Sequence, residues 1–171
     1  MGLLCFRLGA SVPSGMPSLL AVDLGLKTGL AFFSEDGRLQ WYRSRNFGSR
    51  ARLKNAASFL IRSHPETTHL VVEGGGDLAP AWSAAAHRAG IRARFVDAAT
   101  WRQSLLLPRD QRTGSDAKQA AGKLARRIIE WSGAPRPTSL KHDAAEAILV
   151  GTWGVLELGW LTAVPPEWRN R

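Results

Sequence analysis

Two short apolar runs in this chain each end in a carboxylate, and this pattern restricts the folds that the sequence can adopt. The segment Ser18–Asp23 ends in Asp23, and the segment Thr68–Glu73 ends in Glu73. A continuous apolar run of this length indicates a strand that is buried on both faces of a sheet. A carboxylate at the end of a buried strand costs several kcal/mol when it lacks a partner. We therefore expect both acids to meet a counter-charge.

A third acidic pair opens an apolar stretch near the end of the chain. Asp143 and Glu146 lie three residues apart, a spacing that places both on one face of a helix. Three separate segments that each bring carboxylates to the end of a strand or helix predict convergence on a cation, because these acids would otherwise repel one another. The alternative is that Asp143 and Glu146 only cap the helix at its positive N-terminus.

The alternation of strand and helix patterns predicts one mixed α/β domain. Three antiparallel strands come first, and Asp36-Gly37 marks a hairpin between the second and third. A helix over Leu53–Ile61 then leads to the strand that ends at Glu73. The later elements are placed at about 78–89 (helix), 91–96 (strand), 115–131 (helix) and 141–158 (helix). The predicted order is β-β-β-α-β-α-β-α-α. Residues 18–160 form the predicted domain, residues 1–17 are predicted to be a disordered extension in which Met16 is an alternative start, and residues 161–171 are predicted to form a tail.

The charge of the chain predicts a polyanionic partner. Lys and Arg number 23 against 14 Asp and Glu, a net charge of +9, and 18 of the 23 are arginine. Arginine's planar fork suits phosphate, so a nucleic acid is the expected partner. Two basic regions are predicted to contact it: the first contains Arg43, Arg45 and Arg50, and the second contains Arg112 and Lys118. For the first region, a solvated hairpin and helix start is the alternative interpretation.

Composition also indicates a cellular setting. The single cysteine, Cys5, cannot form an intramolecular disulfide or a cysteine-based zinc site. No apolar run approaches the roughly 20 residues of a membrane span. The sequence therefore predicts a cytoplasmic protein that does not act at a membrane.

Four segments resemble motifs of the RuvC family of Holliday-junction resolvases. These are Val22–Gly29, Val72–Glu73, His142–Ala147 and, before the penultimate helix, Arg112–Lys118. The resemblance covers roughly residues 18–158, and the element order matches the ribonuclease H-like architecture, an α/β fold whose central mixed five-stranded sheet is flanked by helices. It implies a structure-selective DNA endonuclease that cleaves Holliday junctions or related branched DNA in recombination and repair, as a homodimer. It also implies that the predicted domain, residues 18–160, is a nuclease domain.

The resemblance also implies a metal site. Phosphodiester hydrolysis with two divalent ions needs a cluster of hard oxygen ligands. The expected catalytic residues and metal ligands are Asp23, Glu73, Asp143 and Glu146, with Asp23 shared between the ions. Mg²⁺ is the expected cofactor, with Mn²⁺ able to substitute. His142, four residues before Glu146, competes with Asp143 for the role of ligand.

Two departures from the family pattern leave the substrate open. The fourth acid of the family is usually aspartate, whereas this chain has Glu146. The bacterial resolvases carry a glutamine and an aromatic residue shortly after the second acid, and the aromatic residue acts as a wedge that opens the junction. Here Gly74–Pro80 follows the second acid, and Trp82 is the nearest candidate for the wedge. An RNA-processing or other repair nuclease of the same fold is one alternative, and a non-catalytic nucleic-acid-binding module is another. An actin-like sugar kinase is a third alternative, because its first phosphate motif is similar to Asp23–Gly29. Such a kinase would need a second phosphate-binding motif and a far longer chain.

Overall fold

The structure, a computed structural model, describes residues 15–168. Five strands form one sheet in the order β3-β2-β1-β4-β5. The strands are β1 (Ser18–Asp23), β2 (Lys27–Ser34), β3 (Leu39–Asn46), β4 (His69–Glu73) and β5 (Arg92–Val96). The helices are α1 (Arg50–Arg62), α2 (Ala79–Arg88), α3 (Ala98–Leu105), α4 (Gly114–Ser132) and α5 (His142–Glu157). Short 3-10 helices span Gly76–Leu78, Pro108–Gln111 and Pro166–Trp168.

The sheet is mixed, as predicted. The strand β1 pairs antiparallel with β2, which pairs antiparallel with β3, while β1, β4 and β5 run parallel to one another. The strands β1, β3, β4 and β5 therefore all point in one direction, and their carboxyl ends lie along the same end of the sheet. We call this end the carboxylate end, because β1 closes with Asp23 and β4 closes with Glu73.

Helices cover both faces of the sheet, which explains why its central strands are apolar throughout. Leu19 and Ala21 of β1 pack on the side of α3, α4 and α5. Leu20 and Val22 alternate with them and pack on the side of α1 and α2. All four side chains are fully buried. Because successive residues of a strand face opposite sides, a strand between two helical layers has no polar face, and only its last residue is free to carry a charge.

The helix α5 lies directly against the sheet and brings its first turn to Asp23. A Cβ atom added to Gly29, the register partner of Asp23 on β2, would lie 1.9 Å from the carbonyl oxygen of Asp143. One added to Gly151 would lie 2.2 Å from the ring of Phe33. The helix backbone can approach this closely only because these two positions have no side chain.

The helix α3 was not predicted from the sequence. It begins after Asp97, whose side chain accepts a hydrogen bond from the backbone nitrogen of Thr100 at 2.7 Å. Its one fully buried residue is Trp101. The observed order therefore has a helix between β5 and α4 that the predicted order lacks, and this helix turns out to border the carboxylates.

The predicted N-terminal extension and C-terminal tail lie partly within the described residues. Most of the predicted extension, residues 1–17, lies outside the described residues, as do the last three residues of the predicted tail. Within that tail, Trp168 is buried against the core, and the Arg127 guanidinium donates to its backbone carbonyl at 3.0 Å. None of the helices within residues 15–168 is long and apolar enough to cross a membrane.

Candidate metal centre

Three carboxylates meet at the carboxylate end of the sheet. Asp23 and Glu73 close neighbouring parallel strands and are register partners. Glu146 projects from the second turn of α5. One oxygen from each of these side chains lies within 4.8 Å of the other two. We call this set the carboxylate cluster. The structure thus brings together three of the four acids that the sequence singled out, from three separate elements.

Asp143 lies beside the carboxylate cluster and has a partner of its own. Its side chain is largely buried and accepts a hydrogen bond from the hydroxyl of Ser44. Ser44 pairs with Gly29 on β2, and Gly29 pairs with Asp23, so the hydroxyl comes from the same row of the sheet as the cluster. Asp143 does not belong to the set whose oxygens lie within 4.8 Å of one another.

His142 contacts the cluster from the solvent side. Its Nε2 atom lies 3.3 Å from Oε2 of Glu146, one helical turn further along α5. The His142 side chain is 43% exposed, whereas that of Glu146 is 12% exposed. The ring is therefore placed at the rim of the site, next to one acid of the cluster, rather than among all three.

The electrostatics of the cluster show an excess of negative charge. Burial, followed by the charges of Glu73, Glu146 and Asp143, raises the pKa of Asp23 to about 8. Burial and the charge of Glu146 also raise the pKa of Glu73. At neutral pH Asp23 therefore holds a proton that an isolated aspartate would release. The influence of Asp143 on Asp23 also shows that these two groups lie close enough to interact.

Two consecutive residues of α3 hold two acids of the cluster. The indole nitrogen of Trp101 donates to Oε2 of Glu73 at 3.4 Å. The Nη2 atom of Arg102 donates to Oε1 of Glu146 at 2.8 Å. Sequence reasoning missed both residues because it left α3 unassigned. The signal was present in Asp97, an N-cap residue that stands immediately before this helix.

The donor set fits a hard divalent cation. Carboxylate oxygens are the ligands that Mg²⁺, Mn²⁺ and Ca²⁺ prefer, and a cation would remove the repulsion that raises the pKa of Asp23. Within residues 15–168, the carboxylate cluster is the one group of three or more acidic, histidine or cysteine side chains with this mutual spacing. Three of the four acids expected at the magnesium site therefore offer ligands of the type that a divalent cation requires.

The first basic region follows β3 toward the carboxylate end. Arg43 and Arg45 are exposed, and both alternate with Ser44 along the strand. The Arg43 guanidinium lies 5.3 Å from the centre of the Trp41 ring, which stacks in parallel on Phe32 at 5.5 Å. This arrangement presents cations beside an aromatic surface on the α1 side of the sheet.

The remaining basic residues lie elsewhere. Arg50, at the start of α1, forms an exposed ion pair with Asp77 in the loop after β4. Arg112 and Lys118 are exposed at the start of α4. The end of α4 contacts the beginning of β3, where Arg38 donates to the carbonyl of Trp131. The helix α4 packs on the α5 side of the sheet, whereas Trp41 of β3 packs on the α1 side. The two basic regions therefore belong to opposite layers of the fold.

Trp82 cannot serve as a wedge that opens a DNA junction. It was the nearest aromatic residue after Glu73 in the sequence, but its side chain is fully buried between α2 and the sheet. In an Ala-rich helix, the one large apolar residue fills the space against the core. The structure therefore contradicts the idea that Trp82 replaces the aromatic residue that the resolvase pattern carries after its second acid.

Comparison with known proteins gives matches to structures only. No protein-family model matches the chain, and no curated protein matches it. The structure of RuvC from T. thermophilus in complex with a Holliday junction substrate matches with a TM-score of 0.57 and 16% sequence identity, covering 83% of this chain and 95% of that one.

Two further matches have lower TM-scores. A structure of the large terminase subunit from bacteriophage sf6 with calcium matches with a TM-score of 0.40 and 18% identity, covering 80% of this chain and 68% of that chain. The catalytic core domain of BIV integrase matches with a TM-score of 0.35 and 13% identity, covering 80% of this chain and 82% of that chain. The sheet order and the match to RuvC show that the chain has the ribonuclease H-like fold.

Proposed function

We propose that the protein is a metal-dependent, structure-selective DNA endonuclease that cleaves Holliday junctions or related branched DNA. The observation that carries this proposal is the carboxylate cluster, in which Asp23, Glu73 and Glu146 converge from three elements at one end of the sheet. Such a cluster has no stabilising role without a cation, because burial and mutual repulsion penalise its charged form. The shift in the pKa of Asp23 records that penalty.

The carboxylate cluster would hold divalent ions, with Mg²⁺ as the expected cofactor and Mn²⁺ as a substitute. Bound there, such ions supply an activated water and stabilise the leaving oxygen of a phosphodiester. Asp23 is the register partner of Glu73 and has a carboxylate oxygen within 4.8 Å of one from Glu146, which suits it to a shared ligand. Trp101 fixes the Glu73 carboxylate through its indole nitrogen.

Asp143 is proposed as the fourth ligand. Its charge already acts on Asp23, and Ser44 orients its carboxylate by donating a hydrogen bond. His142 is proposed to lie at the edge of the site, where its ring beside Glu146 is suited to positioning a water molecule or a phosphate. The burial of Asp143 and the exposure of His142 to solvent support the choice of Asp143 over His142 as the ligand.

Basic residues on both layers of the fold would bind the DNA backbone. Arg43 and Arg45 lie on one layer, and Arg112 and Lys118 lie on the other. Each is exposed, and arginine forks bind phosphate oxygens in pairs. Arg50 joins this set if DNA releases it from Asp77. Cations on two layers of the fold suit a substrate that diverges at the cutting point, and symmetric cleavage of two strands would need a homodimer.

The choice of branched DNA rests on likeness of fold. The RuvC structure was solved with a Holliday junction, and the match covers 95% of that chain. The burial of Trp82 favours a second candidate, a repair or RNA-processing nuclease whose substrate needs no aromatic wedge at this position. A non-catalytic nucleic-acid-binding module is the remaining alternative, and it gives no reason for three acids to be held together.

A cleavage panel tests the proposal. The purified protein is incubated with labelled four-way junction, fork, flap, duplex, single-strand and RNA–DNA hybrid substrates, with Mg²⁺ and with EDTA. The expected result is metal-dependent cleavage that is strongest on a branched DNA. Asp23→Asn should abolish it, while Asp36→Asn, the same change in the exposed hairpin between β2 and β3, should leave it unchanged. Binding of every substrate without cleavage of any would refute the nuclease assignment.

A further inference from the structure

Arg102 places a positive charge inside the carboxylate cluster. Its guanidinium donates to Glu146 at 2.8 Å, and its central carbon lies 5.1 Å from the centre of the Trp101 ring. The Arg102 side chain is 29% exposed, so it stands at the inner wall of the site rather than in bulk solvent. Its charge offsets part of the rise in the pKa of Asp23 and of Glu73. The guanidinium therefore already provides part of the positive charge that the cluster requires.

The hydrogen bonding of Arg102 is incomplete in this position. Its Nε atom is buried and has no hydrogen-bond partner within residues 15–168. A buried donor without an acceptor costs about 1–3 kcal/mol. An arginine retained only to stabilise the fold would be expected to use both edges of its fork. The unused Nε–H is consistent with a second position in which the side chain meets a different acceptor.

A divalent ion and Arg102 would compete for the same carboxylate, that of Glu146. An ion bound by the carboxylate cluster needs an oxygen of Glu146, and the guanidinium occupies Oε1 of that side chain. Two cations on neighbouring oxygens also repel each other, by an amount that is large where water is scarce. Binding of the ion to Glu146 therefore weakens the hydrogen bond between Arg102 and Glu146, and this hydrogen bond weakens binding of the ion.

We propose that Arg102 is a tethered counter-cation that competes with the metal ion for Glu146 and turns to a substrate phosphate once the ion has bound. This inference rests on the proposed function, because it assumes that the cluster binds a metal ion. The planar fork of arginine is suited to phosphate. Metal and nucleic acid would then strengthen each other's binding, since each favours the same displaced position of Arg102. Arg102 is here a competitor of the metal ion and a contact for the substrate.

Metal binding without nucleic acid is the first test. Mn²⁺ is titrated into the protein, and free Mn²⁺ is counted from its electron paramagnetic resonance signal. Arg102→Met should bind Mn²⁺ more tightly than the wild type, by about 5- to 150-fold, the usual range for coupled sites. Unchanged or weaker binding would show that Arg102 supports Glu146 and does not compete with the ion, and would overturn the inference.

Arg94 provides a matched control. It forms an ion pair with Glu157 at 2.9 Å, and its guanidinium lies 4.6 Å from the centre of the Trp153 ring. Its setting repeats that of Arg102 near the opposite end of α5, away from the carboxylate cluster. Arg94→Met removes the same charge and the same kind of contacts, and should leave Mn²⁺ affinity unchanged. Equal tightening in both variants would show a general effect of net charge and would overturn the inference.

A second variant controls for a folding defect in Arg102→Met. Arg102→Gln keeps an amide that can donate to Glu146 but removes the charge, so it should also tighten Mn²⁺ binding. Thermal melting followed by circular dichroism shows which variants are folded. If the wild type neither binds Mn²⁺ through Asp23 nor cleaves any substrate, the proposed function fails. If the wild type binds Mn²⁺ through Asp23 and the folded Arg102 variants bind it no more tightly, only the present inference fails.

The second test addresses the phosphate contact. Binding of a four-way junction is measured against salt concentration, once with EDTA and once with Ca²⁺, and the DNA is checked for integrity on a denaturing gel. With Ca²⁺, Arg102→Met should lower the salt slope by about 0.9, the value for one phosphate contact. With EDTA, wild type and variant should have the same slope, because Glu146 retains the guanidinium. The same slope for both proteins under both conditions would refute the phosphate contact.

Discussion

Replacing Asp23 by asparagine should make the metal-free protein more stable at neutral and alkaline pH. Asp23 is the most strongly perturbed acid of the carboxylate cluster, with a pKa raised to about 8 by burial and then by Glu73, Glu146 and Asp143. Asparagine has a similar shape but carries no charge. The substitution therefore removes the cost of burying this charge and its repulsion by the other acids, although it also removes a proposed metal ligand.

The sign and size of the effect follow from the pKa of Asp23 in the two states. In the unfolded chain Asp23 releases its proton near its ordinary pKa of 3.8, whereas the folded protein retains the proton up to about pH 8. Between these values the unfolded state binds fewer protons, so the free energy of unfolding falls as pH rises, by about 1.4 kcal/mol per pH unit. At pH 7 the loss is on the order of 4 kcal/mol. It is absent below pH 4 and complete above pH 8.

Urea unfolding in the presence of EDTA measures this effect at pH 5, 7 and 9. The wild-type protein should lose stability across the series, and Asp23→Asn should show a shallower loss, with Glu73 responsible for part of what remains. Asp36→Asn, in the exposed hairpin, should follow the wild type. Parallel curves for wild type and Asp23→Asn would show that Asp23 carries no such penalty, and would refute the reasoning about the carboxylate cluster.

Three further predictions concern the surroundings of the cluster. Gly29→Ala places a Cβ atom 1.9 Å from the Asp143 carbonyl oxygen and should cost about 1–3 kcal/mol in urea unfolding, whereas Gly122→Ala, with no heavy atom within 4 Å, should be neutral or stabilising. Ser44→Ala leaves the buried Asp143 without its donor and should cost about 1–3 kcal/mol at pH 7; no loss would show that the hydrogen bond is dispensable. Arg112→Ala with Lys118→Ala should lower the salt slope of DNA binding by about 1.8, and an unchanged slope would move the DNA to the β3 side.

The sequence predicted the structure best at positions where the residue type fits only one kind of environment. A carboxylate that closes a buried strand had to lie at an end of the sheet, and Asp23 and Glu73 are both found at the carboxylate end. The long apolar stretch after Asp143 had to be a buried helix, and α5 packs against both β1 and β2. In these segments the local pattern and the tertiary environment agree, so the central sheet and its order of elements were predictable.

The contacts between distant segments could not be predicted in this way. Arg102 and Glu146 are separated by 44 residues, and Ser44 and Asp143 by 99, so neither bond leaves a local pattern. The helix α3 was missed because its buried face is short, with Trp101 as its one fully buried residue. The prediction that Trp82 could act as an exposed wedge was wrong, because a tryptophan in a helix fits a buried core as well as an exposed surface.

The central claim is that Asp23, Glu73 and Glu146 bind a divalent metal ion together. Crystals soaked in Mn²⁺ and measured for anomalous scattering test it most directly. The expected result is a peak within about 2.0–2.6 Å of an oxygen of each of the three carboxylates, the range spanned by Mg²⁺ and Ca²⁺ ligands. A peak that joins Asp23 to the His142 ring while Glu73 and Glu146 stay unbound, or no peak at this end of the sheet, would contradict it.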